Sequence, residues 1–111
     1  MTVIKDITKK RTISDNAKIA ISFNDRLLGL LNPQNPRFLI IYTHFGVHTF
    51  FMKKPIDVLI LNHKSRVIKL KSSLYPFKLL FYHPRFNTVI EMPEGTIKKY
   101  MININDKISI K

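Results

Sequence analysis

Residues 48–62 read His-Thr-Phe-Phe-Met-Lys-Lys-Pro-Ile-Asp-Val-Leu-Ile-Leu-Asn, and this stretch decides the fold. It predicts two extended segments joined at Pro55, the first over residues 48–52 and the second over residues 56–61. Apolar side chains occupy both faces of the second segment, which is typical of a strand in the centre of a core. Asp57 lies inside this strand, where a carboxylate is unfavourable unless a donor pairs with it.

Further strands are predicted on both sides of this stretch, bounded by proline, glycine or asparagine. An alternation of apolar and polar side chains over residues 17–23 predicts a half-buried strand. The turn at residues 62–66 predicts an antiparallel hairpin, in which Ile68 and Leu70 share one face of the returning strand. Two strands joined by a charged turn are predicted within residues 3–13, and single strands over residues 38–43, 87–92 and 107–110.

Two short helices complete the predicted elements. One covers residues 26–31 and is ended by Asn32-Pro33, and Thr96 is expected to cap another that runs to Tyr100. Many short strands with few helices predict a mainly β fold, a small antiparallel barrel- or sandwich-like domain with one or two short helices. At 111 residues, the chain is expected to form a single domain over residues 1–111.

The composition excludes several kinds of site. The sequence contains no cysteine, so disulfides, thiolate nucleophiles and cysteine-based zinc sites are excluded. No apolar run is long enough to span a membrane, and the N-terminus has no apolar segment of the kind found in secretory signals. A cytoplasmic protein without a membrane span is therefore expected.

Net charge is the unusual feature of the composition. The 19 Lys and Arg residues against 7 Asp and Glu residues give a formal charge of +12 at pH 7. Such a balance attracts polyanions, through counterion release on nucleic acid or through attraction to anionic lipid. The alternative is a compositional bias in which lysine fills solvent positions, since the basic residues are scattered along the chain.

Residues 72–86, Ser-Ser-Leu-Tyr-Pro-Phe-Lys-Leu-Leu-Phe-Tyr-His-Pro-Arg-Phe, give the strongest signal for binding. Two prolines argue against a continuous helix or central strand, so a long, partly ordered loop is predicted. Aromatic rings stack on bases while cations hold phosphates, so this interleaving suits single-stranded nucleic acid. The alternative is that the rings close one end of a barrel. The candidate nucleic-acid contacts are Tyr75, Phe77, Lys78, Phe81, Tyr82 and Arg85.

Three stretches together resemble one known family. They are Arg26-Leu-Leu-Gly-Leu-Leu, then the central stretch from His48, then Val89-Ile-Glu-Met-Pro-Glu-Gly-Thr. In this order they are similar to the motifs of domain-of-unknown-function family 192, over about residues 18–108. The resemblance implies a compact β-rich fold and no established biochemical activity. The chain departs from the family pattern at Phe51, Lys54, Asn62 and Asn105, which argues against a function that needs a second acidic residue at position 62.

The Asp57 carboxylate could have either of two roles, one in chemistry and one in structure. It is a candidate general base or orienting group, but a buried carboxylate more often binds backbone N–H groups or pairs with a cation, here Arg26 or His48. The alternative to a binding module is therefore a small-ligand-binding or enzymatic domain with a pocket around Arg26, His48, Met52 and Asp57. Glu91 and Gly95 are further candidates for binding a small molecule.

Catalytic and metal chemistry are not indicated. The sequence has no nucleophile elbow, no Gly-rich phosphate loop and no recognisable carboxylate pair, so no catalytic residue and no cofactor are assigned. His44 and His48 would lie about 13 Å apart in a strand, too far to share a metal, so no metal site is expected. The expected function is non-catalytic binding of an anionic partner, with single-stranded nucleic acid as the candidate partner.

Overall fold

A computed structural model describes residues 2–20, 38–42, 47–48, 55–74, 79–80 and 88–111. This part of the chain is mainly β, as predicted. Its strands are β1 (Thr2–Asp6), β2 (Arg11–Ala20), β3 (Leu39–Tyr42), β4 (Val47–His48), β5 (Ile56–Leu61), β6 (Val67–Leu74), β7 (Leu79–Leu80), β8 (Thr88–Pro93) and β9 (Ile108–Ile110). One helix, α1 (Thr96–Tyr100), lies in the same part. The helix predicted over residues 26–31 lies outside the described residues.

Seven strands form one curled sheet in the order β6-β5-β8-β3-β2-β1-β9, while β4 and β7 form a separate two-stranded sheet. The neighbours are antiparallel except β2 and β3, which run parallel over Lys18 to Ala20. The two outer strands meet where Arg66 and Lys107 form an antiparallel bridge. The amide of Ile108 donates to the carbonyl oxygen of Ser65 there, at 2.8 Å. The sheet is therefore barrel-like, with its edges joined at one end.

β5 is the central strand that its apolar residues predict. All six of its residues are buried, and it pairs with both β6 and β8. Its side chains alternate between two apolar clusters, one on each face of the sheet. The inner cluster comprises Ile4, Ile13, Ala17, Ile40, Leu59, Leu61, Val67, Ile90, Met92, Ile97, Ile102 and Ile108. The outer cluster comprises Ile41, Ile56, Val58, Ile60, Leu74 and Val89.

The returning strand of the hairpin contains a bulge that the sequence did not indicate. Leu61 lies opposite Val67 and Ile60 lies opposite Lys69, so Ile68 is an extra residue in β6. Leu70 packs on the inner cluster and Ile68 on the outer cluster. The prediction that these two side chains share one face is wrong, because a bulge shifts the alternation by one residue.

Part of the segment predicted as a loop, residues 72–86, forms strands. β6 continues to Leu74, and Leu79–Leu80 form β7, which pairs with β4. The other residues of this segment lie outside the described part of the chain. No helix among the residues that the structure describes is both long enough and apolar enough to cross a membrane.

Candidate functional site

Asp57 is buried, with 1% of its surface exposed, and it accepts two backbone hydrogen bonds. Its Oδ1 accepts from the amide of Ser73 and its Oδ2 from the amide of Ile97, each at 2.9 Å. This confirms the expectation that the carboxylate is buried and bonded to backbone N–H groups. Both oxygens are therefore engaged in joining β5 to β6 and to α1.

The two donors are amides that regular pairing leaves without an acceptor. Ile56 pairs with Leu74 and Val58 with Lys71, so β6 carries an extra residue opposite Asp57. Ser73, in this bulge, has a φ of 56°. Such a bulge leaves one amide outside the ladder. Ile97 is the second residue of α1, and the first amides of a helix have no acceptor within the helix. The Asp57 carboxylate supplies both acceptors, and its negative charge is favourable at a helix N-terminus.

The start of α1 differs from the prediction. The N-cap is Gly95, with a φ of 93° and no side-chain cap, whereas Thr96 was expected to cap the helix. The Thr96 hydroxyl instead donates to the carbonyl oxygen of Pro93 at 2.6 Å. Gly95 supplies a backbone conformation that side chains with a Cβ rarely adopt, while Asp57 supplies the capping acceptor from another strand.

Glu91 is also buried, with 1% of its surface exposed, but it lies on the other face of the sheet. It pairs with Val58 of β5 and Leu39 of β3, and it shares the outer face with Val89. Asp57 pairs with Met92, whose side chain belongs to the inner cluster. The fold therefore separates these two candidate carboxylates.

Most of the other candidate residues lie outside the part of the chain that the structure describes. His48 pairs with Leu79 through β4 and β7. The remaining candidates, Arg26, Met52, Tyr75, Phe77, Lys78, Phe81, Tyr82 and Arg85, lie outside the described residues. The pocket expected around Arg26, His48, Met52 and Asp57 therefore stays a prediction.

A carboxyl pair that sequence analysis missed joins the first turn to the C-terminal loop. Asp6 and Asp106 are 0% and 4% exposed. Asp6 Oδ1 accepts from the amide of Lys9 at 3.0 Å. Asp106 Oδ2 accepts from Lys9 Nζ at 2.8 Å and from the amide of Asn103 at 3.1 Å. We call Asp6, Lys9 and Asp106 the carboxyl clasp. Lys9 and Asp106 are 97 positions apart in the sequence, so no local motif could have revealed their contact.

The two carboxyl groups of the clasp titrate differently. Burial, together with a hydrogen bond to Asp106, raises the pKa of Asp6 to about 6. Burial also acts to raise the pKa of Asp106, but hydrogen bonds from Asp6, Lys9 and the amide of Asn103 outweigh it and lower the pKa of that carboxyl. Below about pH 6, Asp6 is therefore the carboxyl of the pair that carries a proton. Among the residues that the structure describes, no group of three or more His, Asp or Glu side chains is placed to hold a metal.

A cleft of about 340 Å³ lies between β9 and the ends of β3, β5 and β8. Tyr42, Thr88 and Leu61 stand opposite one another in one row across these strands. The other lining residues are Ser65, Lys107, Ile108, Ser109 and Ile110. Because its lining comes from separate segments of the chain, sequence reasoning did not find this cleft.

Relatives of this chain occur in archaea. The UPF0127 protein of Pyrococcus furiosus is 30% identical over an alignment of 112 positions, which covers 93% of this chain and 93% of that one. The UPF0127 protein of Pyrococcus horikoshii is 28% identical over an alignment of 113 positions, which covers 96% of this chain and 96% of that one.

Two crystal structures from bacteria have a similar fold. A Novosphingobium aromaticivorans protein of unknown function superposes with a TM-score of 0.75 at 14% identity, covering 97% of this chain and 82% of that one. A Sinorhizobium meliloti protein named as a proposed transcription regulator superposes with a TM-score of 0.71 at 16% identity. The superposition covers 98% of this chain and 91% of that one. At these identities the likeness shows the fold alone.

The family comparison covers nearly the whole sequence. The model of the family described as "Uncharacterized ACR" matches residues 3–110, a range that includes all three stretches that resemble its motifs. The chain therefore belongs to domain-of-unknown-function family 192.

Proposed function

We propose that the protein is a non-catalytic binding module for an anionic partner, with single-stranded nucleic acid as the favoured partner. The observation that carries this proposal is the distribution of charge between interior and surface. Four of the seven acidic side chains are buried, namely Asp6, Asp57, Glu91 and Asp106. In the part of the chain that the structure describes, twelve Lys and Arg side chains are exposed, against Asp15 and Glu94 as exposed acids.

Among the residues described, neither Asp57 nor Asp106 forms a salt bridge with one of these exposed cations. Asp57 is bonded to two backbone amides, and Asp106 pairs with Lys9, which forms the one salt bridge between described residues. In the part of the chain that the structure describes, exposed cations therefore outnumber exposed acids by twelve to two. A surface of this kind attracts polyanions by releasing their counterions.

The hydrogen bonds of Asp57 favour a binding role over a catalytic one. A general base needs a free oxygen within reach of the proton that it removes. Both oxygens of Asp57 accept backbone amides at 2.9 Å, which supports the structural interpretation of this carboxylate. In this proposal the chain acts as one domain over residues 1–111, in the cytoplasm, where single-stranded nucleic acids are present.

The aromatic and basic side chains of residues 72–86 remain part of the proposal. Replacing Phe77 and Phe81 together by alanine is expected to lower affinity for a single-stranded oligonucleotide without changing its salt dependence. Replacing Lys78 and Arg85 together by alanine is expected to reduce both affinity and salt dependence.

Measuring the nucleic acid that co-purifies with the protein at low and at high salt tests the proposal. We expect protein purified at low salt to retain nuclease-sensitive material that absorbs at 260 nm, and protein purified at high salt to lose it. Protein that retains no nucleic acid at low salt, and that binds none when RNA or single-stranded DNA is added back, would contradict the proposal. The positive charge would then be compositional, and the small-ligand pocket would become the better hypothesis.

A further inference from the structure

The cleft defined by Tyr42, Thr88, Leu61 and the start of β9 lies at the end of the sheet remote from α1. β8 begins at Thr88, beside the cleft, and ends at Pro93, after which Gly95 starts α1. The helix, tied to β5 through Asp57, lies beyond the other end of the same strands. The mouth of a small barrel is a common place for a ligand.

The lining of the cleft divides into an apolar floor and a polar rim. Leu61 and Ile108, each 1% exposed, form the floor, while Tyr42 at the rim is 54% exposed. Ser65 and Ser109 contribute hydroxyl groups, and Lys107 contributes an ammonium group. No acidic side chain lines the cleft in the part of the chain that the structure describes.

Lys107 supplies positive charge at the rim of the cleft. Lys107 is exposed and forms no salt bridge with another described residue. Arg66 lies directly opposite Lys107 in the backbone bridge, and its Nη1 donates to the carbonyl oxygen of Asn105 at 3.1 Å. Lys107 is therefore the cation that lines the cleft, and neither it nor Arg66 forms a salt bridge with an acid among the residues described.

We propose that this cleft binds one nucleotide, with its base against the Tyr42 ring and its phosphate at Lys107. This inference rests on the proposed function and gives it a specific site. An aromatic ring stacks on any base, and an ammonium group with nearby hydroxyls binds a phosphate. A volume of about 340 Å³ lies within the range of small-molecule sites.

Matched substitutions test the site. Tyr42→Ala removes the ring and Tyr42→Phe keeps it, while Lys107→Gln removes the cation. Lys98→Gln, on the exposed surface of α1 at the other end, removes the same charge as a control. Two probes are used: 5′-AMP measured by calorimetry, and a labelled ten-adenine oligonucleotide measured by anisotropy over a salt series. Circular dichroism and melting temperature check that each variant is folded.

We expect Tyr42→Ala to weaken binding by about 5- to 150-fold and Tyr42→Phe to bind almost as wild type does. Lys107→Gln should weaken binding and flatten the plot of log affinity against log salt by about 0.7. Lys98→Gln should change both values less. If the wild type binds AMP and the variants lose affinity for AMP as described, the cleft binds a free nucleotide. If these losses are seen only with the oligonucleotide, the cleft binds a nucleotide within a strand.

Two other outcomes separate failure of the site from failure of the function. If the wild type binds the oligonucleotide but Tyr42→Ala binds equally well and Lys107→Gln matches Lys98→Gln, the cleft is not the site. The proposed function then stands without it. If the wild type binds neither probe at about 50 mM salt, where phosphate contacts are strong, the site and the proposed function are both overturned.

Discussion

Replacing Asp57 by alanine tests whether this carboxylate stabilises the fold as its hydrogen bonds suggest. The substitution leaves the amides of Ser73 and Ile97 without their acceptor. An orphaned buried amide costs about 1–3 kcal/mol. Ile97 is buried, so its amide should carry that cost, whereas Ser73 is half-buried and water can replace part of its lost bond. The expected destabilisation is therefore about 2–4 kcal/mol.

Urea unfolding gives this free energy directly, and thermal melting gives a second value. For a chain of 111 residues, a loss of this size should lower the melting temperature by about 8–16 °C. Asp15→Ala is the matched control, because it removes the same charge from an exposed position on β2. A melting temperature for Asp57→Ala equal to that of Asp15→Ala would refute the reasoning.

Three further substitutions test other features of the fold by urea unfolding. Burial and the hydrogen bond to Asp106 raise the pKa of Asp6 from 3.8 to about 6. The folded state therefore holds more protons than the unfolded state in this window, and stability should fall by up to about 3 kcal/mol as pH rises from 4 to 7. Asp6→Asn keeps a permanent donor and should remove this fall; an unchanged pH dependence would contradict the role of the clasp. Gly95→Ala should destabilise by about 1–2 kcal/mol through its φ of 93° alone, since no atom lies within 4 Å of the added Cβ. Met101 ends α1 with a φ of 54°, so Met101→Gly should stabilise by about 0.5–1 kcal/mol, and a loss of stability would show that its side chain matters more than its backbone.

Local patterns predicted the elements whose environment is set by their own residues. β5 follows from apolar side chains on both faces, and its hairpin with β6 follows from the turn at residues 62–66. The short helix ending at Tyr100 was also found, although not its cap. Asp57 was recognised as a buried carboxylate because a charge inside such a strand needs partners.

The features that sequence reasoning missed depend on contacts between distant segments. Ile19 is 38% exposed although it alternates with buried Ala17, because β2 pairs with β1 as far as Ala17 and with β3 from Lys18 onwards. The acceptor for Ile97 comes from a residue 40 positions away. The bulge at Ile68 likewise arises from pairing and not from composition. Alternation within a strand gives the pattern of burial only while the pairing partner and register stay the same.

The salt dependence of oligonucleotide binding tests the central claim most directly. Anisotropy of a labelled single-stranded oligonucleotide is measured with wild-type protein from about 50 to about 200 mM salt, beside a double-stranded control. Binding to the single strand should be the tighter of the two. With about three neutralised phosphates, its affinity should fall about 20-fold over this range. Absence of binding at the lowest salt, or an affinity that does not change with salt, would contradict the claim that the basic surface binds an anionic partner.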